Sequence, residues 1–244
     1  MFEAKGRVEI FKRIVEVISV IVSEVKYSIK EDGLHIKAVD PAHVAMVELN
    51  ISPKAFGEYS ASDTELGIDL DKLDSIIKLG KGNDEAEMVY DESSERLVVK
   101  IGNLVRRMTL LDVASMPDLK IPNLQFPARI ELLSDDLLLG VRAAQSVGDY
   151  VVLTADSESF ELSAGTQEEI NQKLSKDQLS LLECKGKARS LFSLDYLSSL
   201  AKGMRSGEKL TLLLGNDYPV RIEFDILEGN GSVAYLLAPR TEIE

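Results

Sequence analysis

Few residues of this chain have the types and spacing that catalysis needs. Asp135 and Asp136 are adjacent carboxylates, which a metal-dependent hydrolase could use. Cys184 is the single cysteine, and a nucleophilic cysteine would need a basic partner, which only His35 and His43 could supply. A single cysteine also excludes an internal disulfide and a metal site built from several cysteines. Both histidines lie in strand-like runs, and adjacent acids are expected by chance among 41 of them.

Motifs for nucleotide, metal or ester chemistry are missing from the sequence. It contains no P-loop, no HExxH, no EF-hand loop and no GxSxG. Gly80-Lys81-Gly82 lacks the third glycine of a dinucleotide-binding loop and follows a predicted helix instead of a strand. We therefore expect no catalysis, no cofactor and no metal. A hydrolase built from Asp135 or Asp136 stays the enzymatic alternative.

The charge of the chain argues at first against nucleic acid as a partner. Acidic residues number 41 against 28 lysines and arginines, which gives a net charge of −13. Affinity for phosphate comes from lysine and arginine, so an even distribution of this charge would disfavour DNA. No apolar run is long enough to span a bilayer, and no signal-like segment opens the chain. We expect a protein of the cytosol or nucleus that is not attached to a membrane.

The two halves of the chain resemble each other. LDKLDSIIK at residues 70–78 and LDYLSSLAK at residues 194–202 share five of nine residues at an offset of 124. DGLHIKA at residues 32–38 and ESFELSA at residues 158–164 share their apolar alternation at an offset of 126. Agreement of two segments in order and offset indicates a duplicated unit. Chance similarity between short amphipathic segments is the other interpretation.

Each half is predicted to contain a helix, strands, a second helix and further strands. Apolar residues at helical spacing predict four helices, over residues 9–24, 70–79, 134–146 and from 194 onward. Ser134 and Ser193 are the predicted N-caps of the last two helices. Alternating apolar runs, and turns such as Asp32-Gly33, predict the strands and hairpins between them.

The outer faces of these helices carry a modest excess of basic residues. Glu16, Asp71, Asp74 and Asp195 share the same faces, and most other acids cluster in loops. Such a bias suits loose, sequence-independent contact with phosphates, and a solvated helix face is the alternative. The residues predicted to face DNA are Lys12, Arg13, Lys72, Lys78, Lys81, Arg142, Lys202 and Arg205.

A proline-punctuated segment at residues 110–130 separates the halves. Pro117, Pro122 and Pro127 exclude a helix or a sheet interior here, so the segment is predicted to be an interdomain linker. Linkers are usually polar, yet Leu119 and Ile121 lie between these prolines. The apolar residues indicate that the linker either contacts the domains or forms part of a binding surface.

Several stretches together resemble the proliferating cell nuclear antigen family of sliding clamps. DGLHIKAVDPAHVAMVELNI at residues 32–51 resembles the family's signature segment, and LKIPN at residues 119–123 resembles its interdomain connecting loop. NDYPVRIEF at residues 216–224 and YLLAPR at residues 235–240 resemble its C-terminal region. The matches occur in family order and cover essentially the whole chain. The lack of a longer acidic tail and the near absence of cysteine resemble the archaeal branch.

This resemblance implies an α+β protein with the DNA clamp fold. Two similar domains, at residues 1–112 and 128–244, would each have two helices packed on antiparallel sheets, and a connecting loop at residues 113–127 would join them. Three copies would form a homotrimeric ring whose helices line a hole for double-stranded DNA. Such a processivity factor tethers DNA polymerase, flap endonuclease and DNA ligase, is opened by an ATP-dependent clamp loader, and has no catalysis of its own.

The resemblance also implies two protein-binding sites. Partners would insert short peptide motifs between the two domains, under the linker. For the ring, edge strands within residues 105–111 and 167–174 would pair between neighbours, with Arg106 or Arg107 facing Glu168 or Glu169. The residues carried over to the partner pocket are Val39, His43, Val44, Leu119, Ile121, Pro122, Pro219, Tyr235, Leu236, Ala238 and Pro239.

Two matters stay open in the sequence. One subunit of a heterotrimeric clamp with non-identical partners is the alternative to the homotrimer. If the chain is archaeal, we expect it in the cytoplasm, associated with the nucleoid. If it is eukaryotic, we expect it in the nucleus.

Overall fold

One order of helices and strands occurs twice along the chain. A computed structural model describes residues 1–116, 118–119 and 124–240. The first half contains β1 (Phe2–Arg7), α1 (Val8–Ser19), β2 (Glu24–Lys30), β3 (Gly33–Val39), β4 (Ala45–Ile51), β5 (Glu58–Ala61), β6 (Thr64–Asp69), α2 (Leu70–Ile77), β7 (Glu85–Asp91), β8 (Arg96–Ile101) and β9 (Leu104–Thr109). The second half contains β10 (Ala128–Leu133), α3 (Ser134–Ala144), β11 (Tyr150–Ala155), β12 (Ser159–Ala164), β13 (Ile170–Ser175), β14 (Leu181–Cys184), β15 (Ala188–Ser193), α4 (Leu194–Ala201), β16 (Lys209–Leu214), β17 (Val220–Ile226) and β18 (Gly231–Leu237).

The duplication predicted from the sequence is confirmed element by element. Helices α2 and α4, whose sequences suggested it, have eight residues each and occupy the same place in the order. Strand pairing repeats as well. β1 pairs antiparallel with β5 and β7, as β10 does with β14 and β16. β2 pairs with β3 and β6, as β11 does with β12 and β15. The two halves therefore share one fold.

The described residues pack into two compact units. Unit 1 comprises Met1–Val39, Val47–Lys120 and Asp225–Val233, and unit 2 comprises Asp40–Met46, Ile121–Phe224 and Ala234–Glu244. Strands β4, β17 and β18 thus contribute residues to both units. In unit 1, a sheet ordered β5-β1-β7-β8-β9 leaves β9 at one edge. In unit 2, a sheet ordered β13-β12-β11-β15 leaves β13 at one edge. The predicted boundaries at residues 112 and 128 stay a prediction.

The helices bury one face each, as their apolar spacing predicted. Helix α1 packs against α2 in unit 1, and α3 packs against α4 in unit 2. The fully buried residues of α2, Leu70, Leu73 and Ile77, recur at helical spacing. Asp69 caps α2 by accepting a 2.9 Å hydrogen bond from the Lys72 amide. None of the helices formed by the described residues is long and apolar enough to cross a membrane.

The predicted end of α1 and the predicted N-cap of α3 were wrong. Helix α1 ends at Ser19 and not at residue 24, because Ile18 O accepts from both the Ile21 and Val22 amides and closes the last turn. Ser134 is the first helical residue of α3 and not its N-cap. Its hydroxyl donates instead to the Arg205 carbonyl at 2.7 Å. At α4 Ser193 does occupy the N-cap position, but its side chain makes no capping hydrogen bond.

Candidate functional site

A buried carboxylate organises the loop between β3 and β4. Asp40 is 5% exposed, and its Oδ1 accepts hydrogen bonds from the amides of Val44 at 2.6 Å and Ala45 at 2.7 Å. Its Oδ2 accepts from the Ala42 amide at 3.0 Å and from the Tyr196 hydroxyl at 2.9 Å. These contacts fold the loop tightly around one side chain. Asp40 was not among the predicted site residues, although an aspartate that begins the stretch DPAHV is a common signal for such a turn.

The charge of Asp40 is stabilised by these donors. Burial alone raises the pKa of the carboxyl, but hydrogen bonds from the Ala45 amide, the Tyr196 hydroxyl and the Val44 and Ala42 amides outweigh burial and lower it below its usual value. Within this loop His43 has φ of +58°, a left-handed conformation that costs energy for a residue other than glycine. The loop thus holds His43 at the surface in a defined position.

Unit 2 brings together several of the residues predicted for the partner pocket. The Ala238 amide donates to the Val44 carbonyl at 2.9 Å, which ties the chain after β18 to the loop at Asp40. His43 is exposed, while Val44, Ala238 and Pro239 are half-buried. Their placement gives a partly apolar surface beside an exposed imidazole.

The turn before β17 and the C-terminal segment are both fastened to β15. The Asp217 amide donates to the Arg189 carbonyl at 3.0 Å, and the Arg240 amide donates to the Leu191 carbonyl at 2.8 Å. Pro219, half-buried, follows this turn. These two hydrogen bonds fix the chain shortly before Pro219 and directly after Pro239.

Tyr235 is a correction to the predicted pocket. Its side chain is 0% exposed, its ring lies 5.5 Å from that of Phe224, and its hydroxyl abuts Gly203, where a Cβ would collide with it. A residue enclosed on all sides supports the core and offers no surface to a peptide. Leu236, the next residue along β18, is 9% exposed.

The remaining pocket residues belong to unit 1 or lie outside the described residues. Val39 ends β3 and is half-buried, and so is Leu119. Leu119 follows Asp118, whose carboxylate pairs with the ammonium of Lys26 on β2. Ile121 and Pro122 fall outside the described residues, so their predicted roles stay predictions.

In unit 1 most of the basic residues predicted to face DNA have partners of their own. Lys72 pairs with Asp69 at 2.7 Å, and Lys78 pairs with Asp74. The ammonium of Lys12 donates to the Gly80 carbonyl at 2.7 Å, just past the end of α2. These contacts reduce the positive field of the two helices. Lys81 is exposed and makes no ion pair with any residue in the described ranges.

Arg13 is a second correction. Its side chain lies on the buried side of α1 at 2% exposure, and its Nη1 is 3.0 Å from Glu16 Oε2. A guanidinium that is buried and paired cannot reach a phosphate outside the protein. It was misassigned because it directly follows Lys12, which is half-buried; one residue further along a helix is a rotation of about 100°, and this turns Arg13 onto the buried side.

In unit 2 the basic residues predicted to face DNA are exposed. Arg142 near the end of α3, Lys202 directly after α4, and Arg205 three residues further on all reach the surface. Arg142 Nε donates to the Leu138 carbonyl at 3.2 Å within the same helix. Neither Arg142 nor Lys202 forms an ion pair with a residue that the structure describes.

The two segments predicted for the subunit interface each overlap a sheet-edge strand. β9 ends the five-stranded sheet of unit 1, and β13 ends the four-stranded sheet of unit 2. Arg106 is directed back onto α2, with Nη1 3.0 Å from the Lys72 carbonyl and 2.6 Å from Ser75 Oγ. Arg107 is exposed, as are Glu168 and Glu169 before β13. Of the two arginines, Arg107 is the exposed one, and its predicted place in the subunit interface stays a prediction.

Exposed apolar residues accompany both edge strands, and they were not among the predicted site residues. In unit 1, Leu104 and Val105 of β9 are 42% and 44% exposed, and Leu79 after α2 is 70% exposed. Leu79 and Leu104 line one groove of about 510 Å³. In unit 2, Leu139 on α3 is 58% exposed. Leu79 falls outside the core-facing spacing of α2, and that was the signal available in the sequence.

Asp135, one of the two carboxylates considered for metal chemistry, has structural partners. Asp135 accepts hydrogen bonds from the Ser206 hydroxyl at 2.6 Å and the Gly207 amide at 2.7 Å. The Ser206 bond, followed by that of Gly207, lowers the pKa of Asp135 below its usual value. Among the residues described, no group of three or more His, Cys, Asp or Glu side chains could hold a metal ion. Burial raises the pKa of the Cys184 thiol, which disfavours a thiolate nucleophile.

Family models match nearly the whole chain. The N-terminal domain of proliferating cell nuclear antigen matches residues 1–116, and the C-terminal domain matches residues 120–240. A curated relative named DNA polymerase sliding clamp, from Methanococcoides burtonii, is 38% identical over 244 residues and 99% of each chain. A relative of the same name from Methanocella arvoryzae is 38% identical over 246 residues and 100% of each chain.

Solved structures agree with this match. The A. fulgidus PCNA solved with the C-terminal region of FEN-1 bound has a TM-score of 0.94 at 33% identity, with 100% of both chains covered. PCNA from Thermococcus kodakaraensis has a TM-score of 0.91 at 24% identity over 98% of this chain and 100% of that one, a likeness of fold. The chain belongs to the proliferating cell nuclear antigen family. Sliding clamps of this family are non-catalytic processivity factors.

Proposed function

We propose that the chain is the subunit of a sliding clamp that encircles duplex DNA and tethers DNA polymerase and other replication and repair proteins to it. The observation that carries this proposal is the match of the full chain, in sequence and in fold, to DNA polymerase sliding clamps. The duplicated fold supports it as well, because each copy supplies a pair of helices and a sheet with a free edge.

The free edges support assembly into a closed ring. Unpaired strand edges such as β9 and β13 invite pairing with another chain, and a closed ring leaves none of them exposed. The exposed apolar residues Leu104 and Val105 beside one edge, and Leu139 in the other unit, would be covered in the same step. A homotrimer of 26.9 kDa chains has a mass of about 81 kDa. Light scattering of the purified chain distinguishes it from a subunit that stays monomeric without non-identical partners.

Loose contact with DNA suits such a ring. Lys72 and Lys78 are paired with aspartates, so α2 offers less positive charge than its sequence suggests. Lys81, Arg142 and Lys202 make no ion pair with described residues and would meet phosphates transiently. A ring held on DNA by topology needs no tight grip. A net charge of −13, concentrated elsewhere, would keep DNA away from the outer surface.

Retention on circular DNA tests the proposal directly. The protein is loaded on a nicked circular plasmid and separated from free protein by gel filtration, before and after a single restriction cut. We expect it to stay with the circle and to leave the linear molecule, because only topology holds it. Equal retention on both forms would show ordinary binding and would contradict the clamp.

Partner proteins would bind through short peptides at the residues predicted for the partner pocket, of which His43, Val44, Ala238 and Pro239 belong to unit 2 and Leu119 to unit 1. The relative from A. fulgidus was solved with the C-terminal region of FEN-1, which makes a flap endonuclease the first partner to test. DNA polymerase, DNA ligase and the clamp loader are proposed to use the same surface. Calorimetry with a peptide of the FEN-1 C-terminal region should show weaker binding to Leu119→Ala, with the assembly mass unchanged. Unchanged affinity would exclude Leu119 from the site.

We further propose that the chain catalyses no reaction and is located with the nucleoid in the cytoplasm of an archaeal cell. The archaeal relatives support this location. Metal-dependent hydrolysis that is lost in Asp135→Asn and Asp136→Asn would instead establish the enzyme. A fluorescent fusion that does not follow the DNA stain would contradict the location.

A further inference from the structure

The chain after β9 is fastened to unit 1 at two points. At the first, the Leu111 amide donates to the Gly67 carbonyl on β6 at 2.9 Å. At the second, the Lys26 ammonium pairs with the Asp118 carboxylate. A short 3₁₀ turn at Val113–Ser115 lies between them. Leu119 directly follows the second fastening, so this ion pair sets where Leu119 lies.

The position of Lys26 is fixed by the sheet and by Glu65, independently of Asp118. It lies within β2 with its side chain 15% exposed, and its ammonium is 3.3 Å from Glu65 Oε1 on the adjacent strand β6. Asp118 is 88% exposed and comes to this ammonium from the connecting segment. Lys26 is therefore the rigid partner of the ion pair, because it lies on the sheet. The ion pair positions Asp118 and the adjacent Leu119.

The residues around Leu119 contribute little to holding its side chain in place. It lines a groove of about 370 Å³ whose other described lining residues are polar or charged, among them Lys37, Glu48 and Asn50. A leucine side chain gains little by lying against polar groups. Hydrogen bonding to Asp118 raises the pKa of Lys26, and Lys26 lowers the pKa of Asp118, so both groups keep their charge near neutral pH.

We propose that Lys26 is a positioning residue for partner binding, which holds Leu119 as a preformed wall of the partner surface through Asp118. The inference rests on the proposed binding of partner peptides at Leu119. A wall that is already in place spares the peptide the entropic cost of ordering the segment. Partner affinity then depends on a lysine that does not itself touch the peptide.

Ionic strength provides a signature of this arrangement. The pair is formed by an exposed carboxylate, so salt screens it. Salt should weaken the binding of a FEN-1 peptide by the wild type more than by Asp118→Asn, in which no pair exists to be screened.

The experiment compares four variants with the same peptide of the FEN-1 C-terminal region, by calorimetry at low salt. Lys26→Met and Asp118→Asn should each weaken binding by about two- to five-fold. Lys26→Arg keeps the charge and should bind as the wild type does. Lys37→Met is the matched control, because Lys37 lines the same groove and pairs with Glu48 at 3.8 Å. It should change nothing.

Hydrogen exchange separates positioning from a general loss of stability. In Lys26→Met the amides of Ser115 and Met116, which donate to the Asp112 and Val113 carbonyls, should exchange faster, while those of the β2 and β6 core keep their protection. Faster exchange throughout unit 1 would mean a structural role and would overturn the inference. So would unchanged peptide affinity in Lys26→Met while Leu119→Ala binds weakly. Unchanged affinity in Leu119→Ala itself would instead remove the proposed partner site.

Discussion

The hydroxyl of Tyr196 on α4 donates a 2.9 Å hydrogen bond to Asp40, 156 residues earlier in the chain. It joins the second helix of the C-terminal repeat to the loop that presents His43 and Val44. A helix predicted to face DNA and a loop predicted to meet partners are thus connected through one buried carboxylate.

Removing the Tyr196 hydroxyl should loosen this loop. Tyr196→Phe deletes one of the four donors to Asp40 and keeps the ring, so we expect about 1 kcal/mol less unfolding free energy. Binding of a FEN-1 peptide should weaken as well, because the loop at His43 is less well fixed. Chemical denaturation and calorimetry measure the two effects. The control is Tyr150→Phe, which keeps the ring that stacks 4.8 Å from the Arg240 guanidinium. Equal behaviour of the two variants would contradict a role for the Tyr196–Asp40 bond.

The lowered pKa of Asp40 predicts a dependence of stability on pH. The folded-state pKa lies below the ordinary value of 3.8, so the unfolded chain binds the proton more readily. The stabilisation is present above the unfolded pKa and is lost as pH falls through the folded one. Asp40→Asn should therefore be less stable than the wild type by about 1–3 kcal/mol near neutral pH.

The difference between Asp40→Asn and the wild type should narrow as the pH falls from about 5 to about 3. Asp71→Asn serves as the reference for an exposed carboxylate on a helix. A gap between wild type and Asp40→Asn that stays constant over this range would mean that the charge of Asp40 contributes nothing.

Gly67 permits the close approach of the chain after β9, at Leu111, to strand β6. A Cβ at this position would stand inside the van der Waals distance of the Leu111 carbonyl oxygen, and the strand and the segment would have to separate. Gly67→Ala should accelerate hydrogen exchange at the Leu111 amide and lower the unfolding free energy by about 1–3 kcal/mol. Gly57→Ala is the control, since its Cβ would meet only Lys5 O at an ordinary 3.5 Å. Retained protection at Leu111 would show that the segment shifts without strain.

The charged residues on the helices should contribute unequally to DNA binding. Lys202→Ala removes a charge that has no ion pair among the described residues, whereas Lys78→Ala removes one that Asp74 already neutralises. The slope of log affinity against log salt falls by about 0.9 for each phosphate that a variant no longer neutralises. We expect a smaller slope in Lys202→Ala and nearly the wild-type slope in Lys78→Ala, measured on short duplexes. A larger effect at Lys78 would place the DNA on a different face.

Assembly should depend on the exposed arginine of β9 and on its apolar neighbours. Arg107→Glu and Leu104→Asp are expected to shift the mass in light scattering from about 81 kDa toward that of one chain, because like charge or an unpaired carboxylate would enter the interface. Arg106→Gln should assemble normally, since Arg106 is bound to Lys72 O and Ser75 Oγ within its own subunit. If the mass stays unchanged at high dilution in Arg107→Glu and Leu104→Asp, β9 is not the ring edge.

The elements that were predicted correctly are those whose periodic pattern is long enough to be compatible with only one kind of secondary structure. The similarity between residues 70–78 and 194–202 predicted two helices that are equal in length and place, and the strand order repeats around them. Prediction from the sequence failed at Arg13, where one position around a helix separates a buried side chain from an exposed one. It also failed at Tyr235, because β18 is buried on both faces and an alternation rule does not apply there.

The sequence by itself determined the duplication, the apolar face of each helix, and membership of the family, because these depend on spacing and residue order along the chain. Only the tertiary structure decided which polar groups are paired. Asp40 pairs with Tyr196, Lys26 with Asp118, and Arg106 with Ser75, across separations that no local pattern encodes. Pairing of this kind depends on distances of a few ångströms between elements. Those distances are set only when the strands pair in their final register.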